Sequence, residues 1–293
     1  MTTTSSVFLP ARKPKPVVTK GVLHKLMARR DARLAAGVSV AIVLVAAVGP
    51  LFTQDPDLVD YTNQLAAPSL NHLLGTDGAG RDLLARSVHG ARTSLGAAAL
   101  VTLIISVVGL LVGVIAGCVG GIFDTIASRI IDILLGLPGL IVTLAIVGML
   151  GPGFMNLILA MSATAWAVLA RLARAVALSA MHHPDILAAR MAGASRVRVA
   201  IEHILPSAAA QVAVVAMLGI SEVVLSLAAL SFLGLGAQPP TAEWGTMLSS
   251  ARQTLAFAPW QLIGPALGIV ATVLCATLLS EALRDVTDPG GAP

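Results

Sequence analysis

Few side chains in this sequence are of a type that does chemistry, and their spacing narrows what that chemistry is. Glu222 stands near the middle of a long apolar run. An acid there costs about 2.5–3.5 kcal/mol to insert, so it must face a partner or a water-filled path. Asp124, Arg129 and Asp132 gather at the entry to another apolar run. Arg129 and Asp132, at i and i+3, are expected to pair on one helix face as a structural ion pair. His182 and His183 precede Pro184 without any further ligand at metal-binding spacing. Cys118 and Cys275 sit inside apolar runs with no neighbouring His, which reads as two small core residues. The run Gly75-Thr76-Asp77-Gly78-Ala79-Gly80-Arg81 is glycine-rich but lacks the Lys-Ser/Thr ending of a phosphate-binding loop. No nucleophile with a base and no metal cluster occurs in the apolar runs. The residues therefore predict neither catalysis, ATP hydrolysis included, nor a cofactor in this chain.

The elements that carry these residues are set by composition. Of 293 residues, 56% are hydrophobic and 12% charged, with a mean hydropathy of +0.88. A soluble domain has nearer a quarter charged residues, so lipid must solvate much of this chain. The apolar mass is aliphatic, since aromatics make up only 3%. The sequence pI is near 9.6, but most of the basic residues lie in the N-terminal tail and one loop, a bias that orients membrane proteins and does not indicate nucleic acid.

Six apolar runs reach spanning length: Leu34 to Phe52, Ser94 to Gly117, Ile130 to Leu150, Phe154 to Leu172, Ser207 to Leu235 and Leu262 to Leu283. This predicts an all-α integral membrane protein. A basic cytoplasmic tail (1–33), disordered over its first twenty or so residues, precedes an uncleaved first span (34–53). An extracytoplasmic segment (54–93), a core (94–283) and a cytoplasmic C-terminal tail (284–293) follow. Both termini are placed in the cytoplasm, because Arg171, Arg174, Arg190, Arg196 and Arg198 mark the loop between spans four and five as internal. Arg81, Arg86 and Arg92 in the segment assigned to the outside oppose that orientation.

Two patterns predict close contacts. Gly109, Gly113, Gly117 and Gly121 place a small residue at every fourth position of span two, allowing a second helix to approach closely in lipid. Pro138 should bend span three. The loop 181–206 reads as two short helices, Ile186 to Met191 and Val197 to Ile204, turned at Gly193 into an L before Pro206 opens span five. Its small residues Ala188, Ala189, Gly193 and Ala194 suit a knob held by another protein.

Four stretches resemble permease subunits of the dipeptide and oligopeptide ATP-binding-cassette importers, specifically the second of the two paired permeases. They are LGTDGAGRDLLARSVHGARTSL (Leu74 to Leu95), ALSFLGLGAQPPTAEWGTML (Ala229 to Leu248), LRDVTDP (Leu283 to Pro289) and the cytoplasmic knob. The resemblance implies a type I importer fold. It implies an ATPase-coupling role for Ala188, Ala189, Gly193, Ile204, Leu205 and Pro206. It also implies an extracytoplasmic signature of Gly75, Thr76, Asp77, Gly80, Arg81, Asp82, Arg86, Gly90 and Arg92. Two positions depart from the pattern: Leu187 stands where the docking motif has an acid, and Leu227 where span five usually has one.

What the resemblance implies for function is a bacterial inner-membrane subunit. It would work with a second homologous permease, two cytoplasmic ATPases and an extracytoplasmic solute-binding protein. Di- or oligopeptides are the implied cargo, with nickel or another small solute as the alternative. A secondary transporter would also explain six spans, but it would need no such knob. An intramembrane enzyme would need a nucleophile and base, which are not visible.

Overall fold

A computed structural model describes residues 29–287, and the basic tail before Arg29 lies outside that range. Helix α1 (Arg30–Val48) is followed by an irregular segment and then by α2 (Leu83–Val119). Helices α3 (Gly121–Gly136) and α4 (Gly139–Leu150) lead to α5 (Phe154–Ala180). The loop contains α6 (Pro184–Met191), and α7 (Arg196–Leu218) continues it. Helices α8 (Ile220–Phe232), α9 (Trp244–Thr254) and α10 (Ile263–Thr287) complete the order. By length and composition α1, α2, α5, α7 and α10 can each cross a membrane, and α3 with α4, bent at 98°, makes either a sixth span or a re-entrant pair. This is an all-α integral membrane protein.

The second span begins well before its apolar run. Its first turns use Leu83 to Thr93, and Asp82 caps it by accepting from the Ala85 amide at 2.8 Å. Polar residues therefore belong to a helix that hydrophobicity alone starts at Ser94. The third span breaks at Pro138, where α3 and α4 meet at 98°. Proline has no amide to donate and its ring clashes with the preceding turn, so the ladder cannot pass through it. Span five is likewise two pieces, α7 and α8, which meet at Gly219 with its backbone still right-handed (φ −85°, ψ −6°). The carbonyl of Leu218 at that break accepts from Ser280 Oγ of α10 at 3.4 Å.

Glycine-mediated packing holds α2 against α5. A Cβ on Gly109 would come within 2.8 Å of Leu169 Cβ, one on Gly113 within 2.6 Å of Ala173 Cβ, and one on Gly117 within 2.6 Å of Ala177 Cβ. With no water to expel, van der Waals contact at this distance supplies the association. Gly121 does not join the stripe. The helix stops at Val119, Gly120 and Gly121 adopt φ of +69° and +63°, and nothing approaches Gly121 within 4 Å. The core around this seam holds Val101, Ile105, Leu157, Val212 and Leu227.

The ion pairs also differ from the sequence expectation. Asp132 does not pair along its own helix with Arg129. It accepts from Arg171 of α5 at 2.6 Å, and Asp124 accepts from Arg174 at 2.8 Å. Because α3 lies across α5, both acids meet arginines of that neighbour, and Arg129 stays on the exposed side.

Gly113→Leu is expected to separate α2 from α5, since overpacking a close contact costs about 1–3 kcal/mol. Gly96→Ala, at a position with open space, should leave stability unchanged. Thermal unfolding of the two variants in detergent checks the difference; equal midpoints would show that the glycine seam is not a determinant of stability.

Candidate functional site

Two regions at opposite ends of the helices hold the singled-out residues. At one end, the segment before α2 folds back on itself through side chains. Thr76 is fully buried; its hydroxyl accepts from the Ala66 amide at 2.8 Å and donates to the Asn63 carbonyl. Asp77 accepts from the amides of Ala79 and Arg81 at 2.8 and 3.0 Å and from Arg81 Nε at 2.8 Å. Asp82 caps α2 with one oxygen and meets His72 Nδ1 at 2.9 Å with the other. Asp60 accepts from the Thr62 hydroxyl and the Asn63 amide group, which hold its carboxyl below the usual range.

Arg86 ties this segment to the rest of the molecule. It is 6% exposed. Nη1 donates to the Pro56 carbonyl at 3.0 Å and to Asp57 at 3.1 Å, Nη2 donates to the Pro240 carbonyl at 3.2 Å, and Nε lies 3.5 Å from Asp77. A planar guanidinium with donors in a fixed fork suits this three-way junction; an ammonium would not. Gly75 and Gly80 take φ of +77° and +75°, which glycine adopts without steric cost. Gly80 passes so close to the Asp60 carbonyl that no side chain would fit. Gly90 admits Trp244, whose Cδ1 would be 3.1 Å from an added Cβ. Arg92 is exposed and stands apart from this network. Two of the three arginines that opposed an outside placement are thus matched: Arg81 by Asp77, and Arg86 by Asp57 and Asp77.

Sequence reasoning missed the residue that anchors the second loop. Glu243 is 0% exposed, and it accepts from Ser94 Oγ of α2 at 3.0 Å and from the amides of Gly245 and Thr246 at 2.9 Å each. It caps α9, and the positive end of that helix favours its charge. Trp244 adds a bond from Nε1 to the Ser87 carbonyl at 3.0 Å. The available signal was an acid directly ahead of Trp-Gly at the start of a short amphipathic helix.

At the other end lies the knob. Helix α6 starts with Pro184 in its first turn, carries Asp185 near its positive end and Arg190 near its negative end, as the helix dipole prefers. It closes at Gly193, φ +91°, with the Ala192 amide bonded to Ala188 and the Ala194 amide to Ala189, a left-handed cap. Ile186 is buried and fastens the knob to the core beside Val199 and Ile204. Ala188 and Gly193 are exposed and Ala189 half-buried, and these small residues share the outward surface with Arg190 and Met191. Leu187 is exposed too.

The second short helix predicted for the loop is not a separate element. The chain runs unbroken from Arg196 into the span, and residues Ala200–Ile204 form a wider turn in which the Leu205 amide reaches back to the Ala200 carbonyl. That extra width accommodates Pro206, whose ring would clash in a regular turn. Ile204 is fully buried, Leu205 half-buried and Pro206 exposed. Ile204 therefore anchors the knob from inside and is not part of its surface. Leu227, where an acid resembling the family pattern was missing, is 1% exposed in the apolar core, and an acid there would be buried without a cation.

The described residues form a helical membrane protein with a short-helix knob at one end, and comparison with known proteins places it among permease components of ABC importers. The family model for the inner membrane component of binding-protein-dependent transport systems matches residues 109–290, and this chain belongs to that family. It is 36% identical over 265 residues to the nickel transport system permease protein NikC of Escherichia coli (strain K12), covering 90% of this chain and 96% of that one. It is 38% identical over 285 residues to the glutathione transport system permease protein GsiD of Escherichia coli O1:K1 / APEC, covering 96% and 94%.

Arg86→Ala should destabilise the protein by about 3 kcal/mol, because it removes the donors to the Pro56 and Pro240 carbonyls and the cation beside Asp57 and Asp77 from a buried junction. Hydrogen exchange checks this: amides of residues 75–83 should exchange slowly in the parent and faster in Arg86→Ala. Random-coil exchange in the parent would show that the junction does not order the segment.

Proposed function

We propose that this chain, with a second and homologous permease, encloses the path by which short peptides enter the cell, driven by two cytoplasmic ATPases that grip the knob. The observation that carries the coupling role is the surface of α6: Ala188, Ala189 and Gly193 present little bulk, and Ile186 roots the helix in the spans. Closure of the ATPase pair on binding ATP would drag the knob and rock the spans between inward-open and outward-open states. The extracytoplasmic end, ordered around Arg86 and Glu243, would receive solute from a binding protein. Supporting a peptide cargo is the relative named for glutathione, itself a short peptide. A second reading, nickel, is favoured by the relative named for that metal. Uptake of labelled dialanine or nickel(II) by vesicles holding the assembled complex separates them; uptake of nickel(II) alone would overturn the peptide reading.

The orientation proposed here places the C-terminus and His203 in the cytoplasm and Asp77 and Trp244 outside. Because Asp77 is buried, cysteine is introduced at the exposed Gly78 beside it; in intact cells it should react with an impermeant thiol reagent, and cysteine at 203 should not. The reverse pattern would invert the topology.

Gly193→Val is expected to abolish uptake while the chain remains inserted. Space is open around Gly193, so the cost comes from its backbone conformation, about 1–3 kcal/mol for a residue that resists it, enough to weaken docking about tenfold. Ala189→Glu should act similarly through bulk, whereas Leu187→Glu should be tolerated. Uptake and recovery of ATPase from the same membranes measure this. Normal values for Gly193→Val would mean that this loop does not couple.

A further inference from the structure

Glu222 sits in the first turn of α8, roughly 14 Å by helical rise below Ser231, which packs against Gly245 at the outer end. It is thus deep in the span. Its side chain is exposed, and no ion pair to it occurs among the described residues, whereas Asp124, Asp132, Arg171 and Arg174 are matched. An acid facing lipid at that depth would cost about 2.5–3.5 kcal/mol. Its side of the helix carries further polar groups, interleaved with Leu218 and Leu225. Ser207, Gln211, Glu222 and Ser226 recur at helical spacing, with Ser207 exposed and Gln211 and Ser226 half-buried. Leu225 and Ala229 continue that side toward the outer end, Leu225 being 55% exposed. The reverse side is the core side, where Val223, Val224 and Leu227 are buried. An apolar cavity of about 300 Å³ lies there, lined by Ile220 and Val224, and Glu222 does not reach it.

We propose that the side of span five bearing Gln211 and Glu222 is a wall of the water-filled path. The Glu222 carboxylate gives that path a negative site near mid-membrane, which favours solutes with a positive group. An ammonium and a metal cation share that chemistry. The inference rests on the permease reading above and adds the residue that discriminates among solutes. A carboxylate flanked by hydroxyl and amide side chains can take a passing cation and release it, because water replaces the contact.

Uptake into vesicles holding the assembled complex assigns the source of the positive group. Glu222→Gln should lower nickel(II) uptake about tenfold if a metal is carried, or dialanine uptake about tenfold if a peptide ammonium is. It should leave N-acetyl-dialanine unchanged. A variant that carries both charged probes at the parent rate overturns the electrostatic role.

A second measurement decides without knowledge of the cargo. Leu225→Cys, in a chain carrying Cys118→Ala and Cys275→Ala, is treated with cationic and anionic water-soluble thiol reagents in the nucleotide-free and ATP-trapped complex. The cationic reagent should react about tenfold faster, and adding Glu222→Gln should erase that preference. Ala229→Cys, further along on the same side, replaces Leu225→Cys if that variant does not assemble. Failure of both reagents to reach either position in both states, or a preference that survives Glu222→Gln, overturns the inference. Modification in either state, faster with the cationic reagent and with that preference lost in Glu222→Gln, supports it. ATPase recovered with the same preparation tests the importer reading separately, so the two can fail independently.

Discussion

The contact of α2 with α5 through Gly109, Gly113 and Gly117 is the constraint on which the other helix positions depend. Association in lipid gains nothing from expelling water, so it must come from surfaces close enough for dispersion to add up. Removing three side chains from one face lets two backbones approach, and the remaining spans then pack around that pair. Helix α4 lies along α5, with Thr143 and Thr164 hydroxyls 3.0 Å apart. Helix α7 closes over the seam with Ala208, Val212 and Ala216 buried.

Polar interactions secure the two ends, where the helices leave that seam. At the end that bears α9 a buried arginine and a buried glutamate serve the same purpose with opposite charge. Arg86 gathers three chain segments, and Glu243 joins α9 to α2. At the other end Arg171 and Arg174 hold α3 across α5. Charges near the membrane boundary are costly to leave unmatched, so each also specifies which helix is its neighbour. The middle of the molecule carries no such ties among the described residues. Two spans are interrupted there, at Pro138 and Gly219; at Gly219 the backbone bonds to Val215, Ala216 and Val223 persist, and Ser280 adds a long bond to the Leu218 carbonyl. Rigid ends and interrupted centres suit a subunit whose family moves solute across a membrane.

The family connects these observations with transport by binding-protein-dependent systems. The relatives named for nickel and for glutathione share similar identity with this chain across nearly its whole length. Overall likeness therefore does not choose between such cargoes. Discrimination must rest on a few side chains along the path, and this chain has little polar material in its spans from which to build it.

By itself the sequence determined the class of the molecule. Long aliphatic runs can be solvated only by lipid, and a backbone in lipid must satisfy its polar groups within helices. The glycine stripe, the turn at Gly193 and the break at Pro138 were legible because each is local: spacing, a positive φ and a missing amide act within a few residues. Tertiary structure decided what depends on neighbours distant in the chain. The partners of Asp124 and Asp132 come from α5, because the angle between helices, and not spacing along one, brings charges together. Ile204 turned inward because the helix runs on through Pro206 by a wide turn that no periodicity indicates. Glu243 became a buried anchor only where α2 supplied Ser94. The side on which Glu222 lies was fixed by the packing of Val223, Val224 and Leu227 against the core, since a helix hydrophobic nearly all round does not reveal which face its neighbours will take.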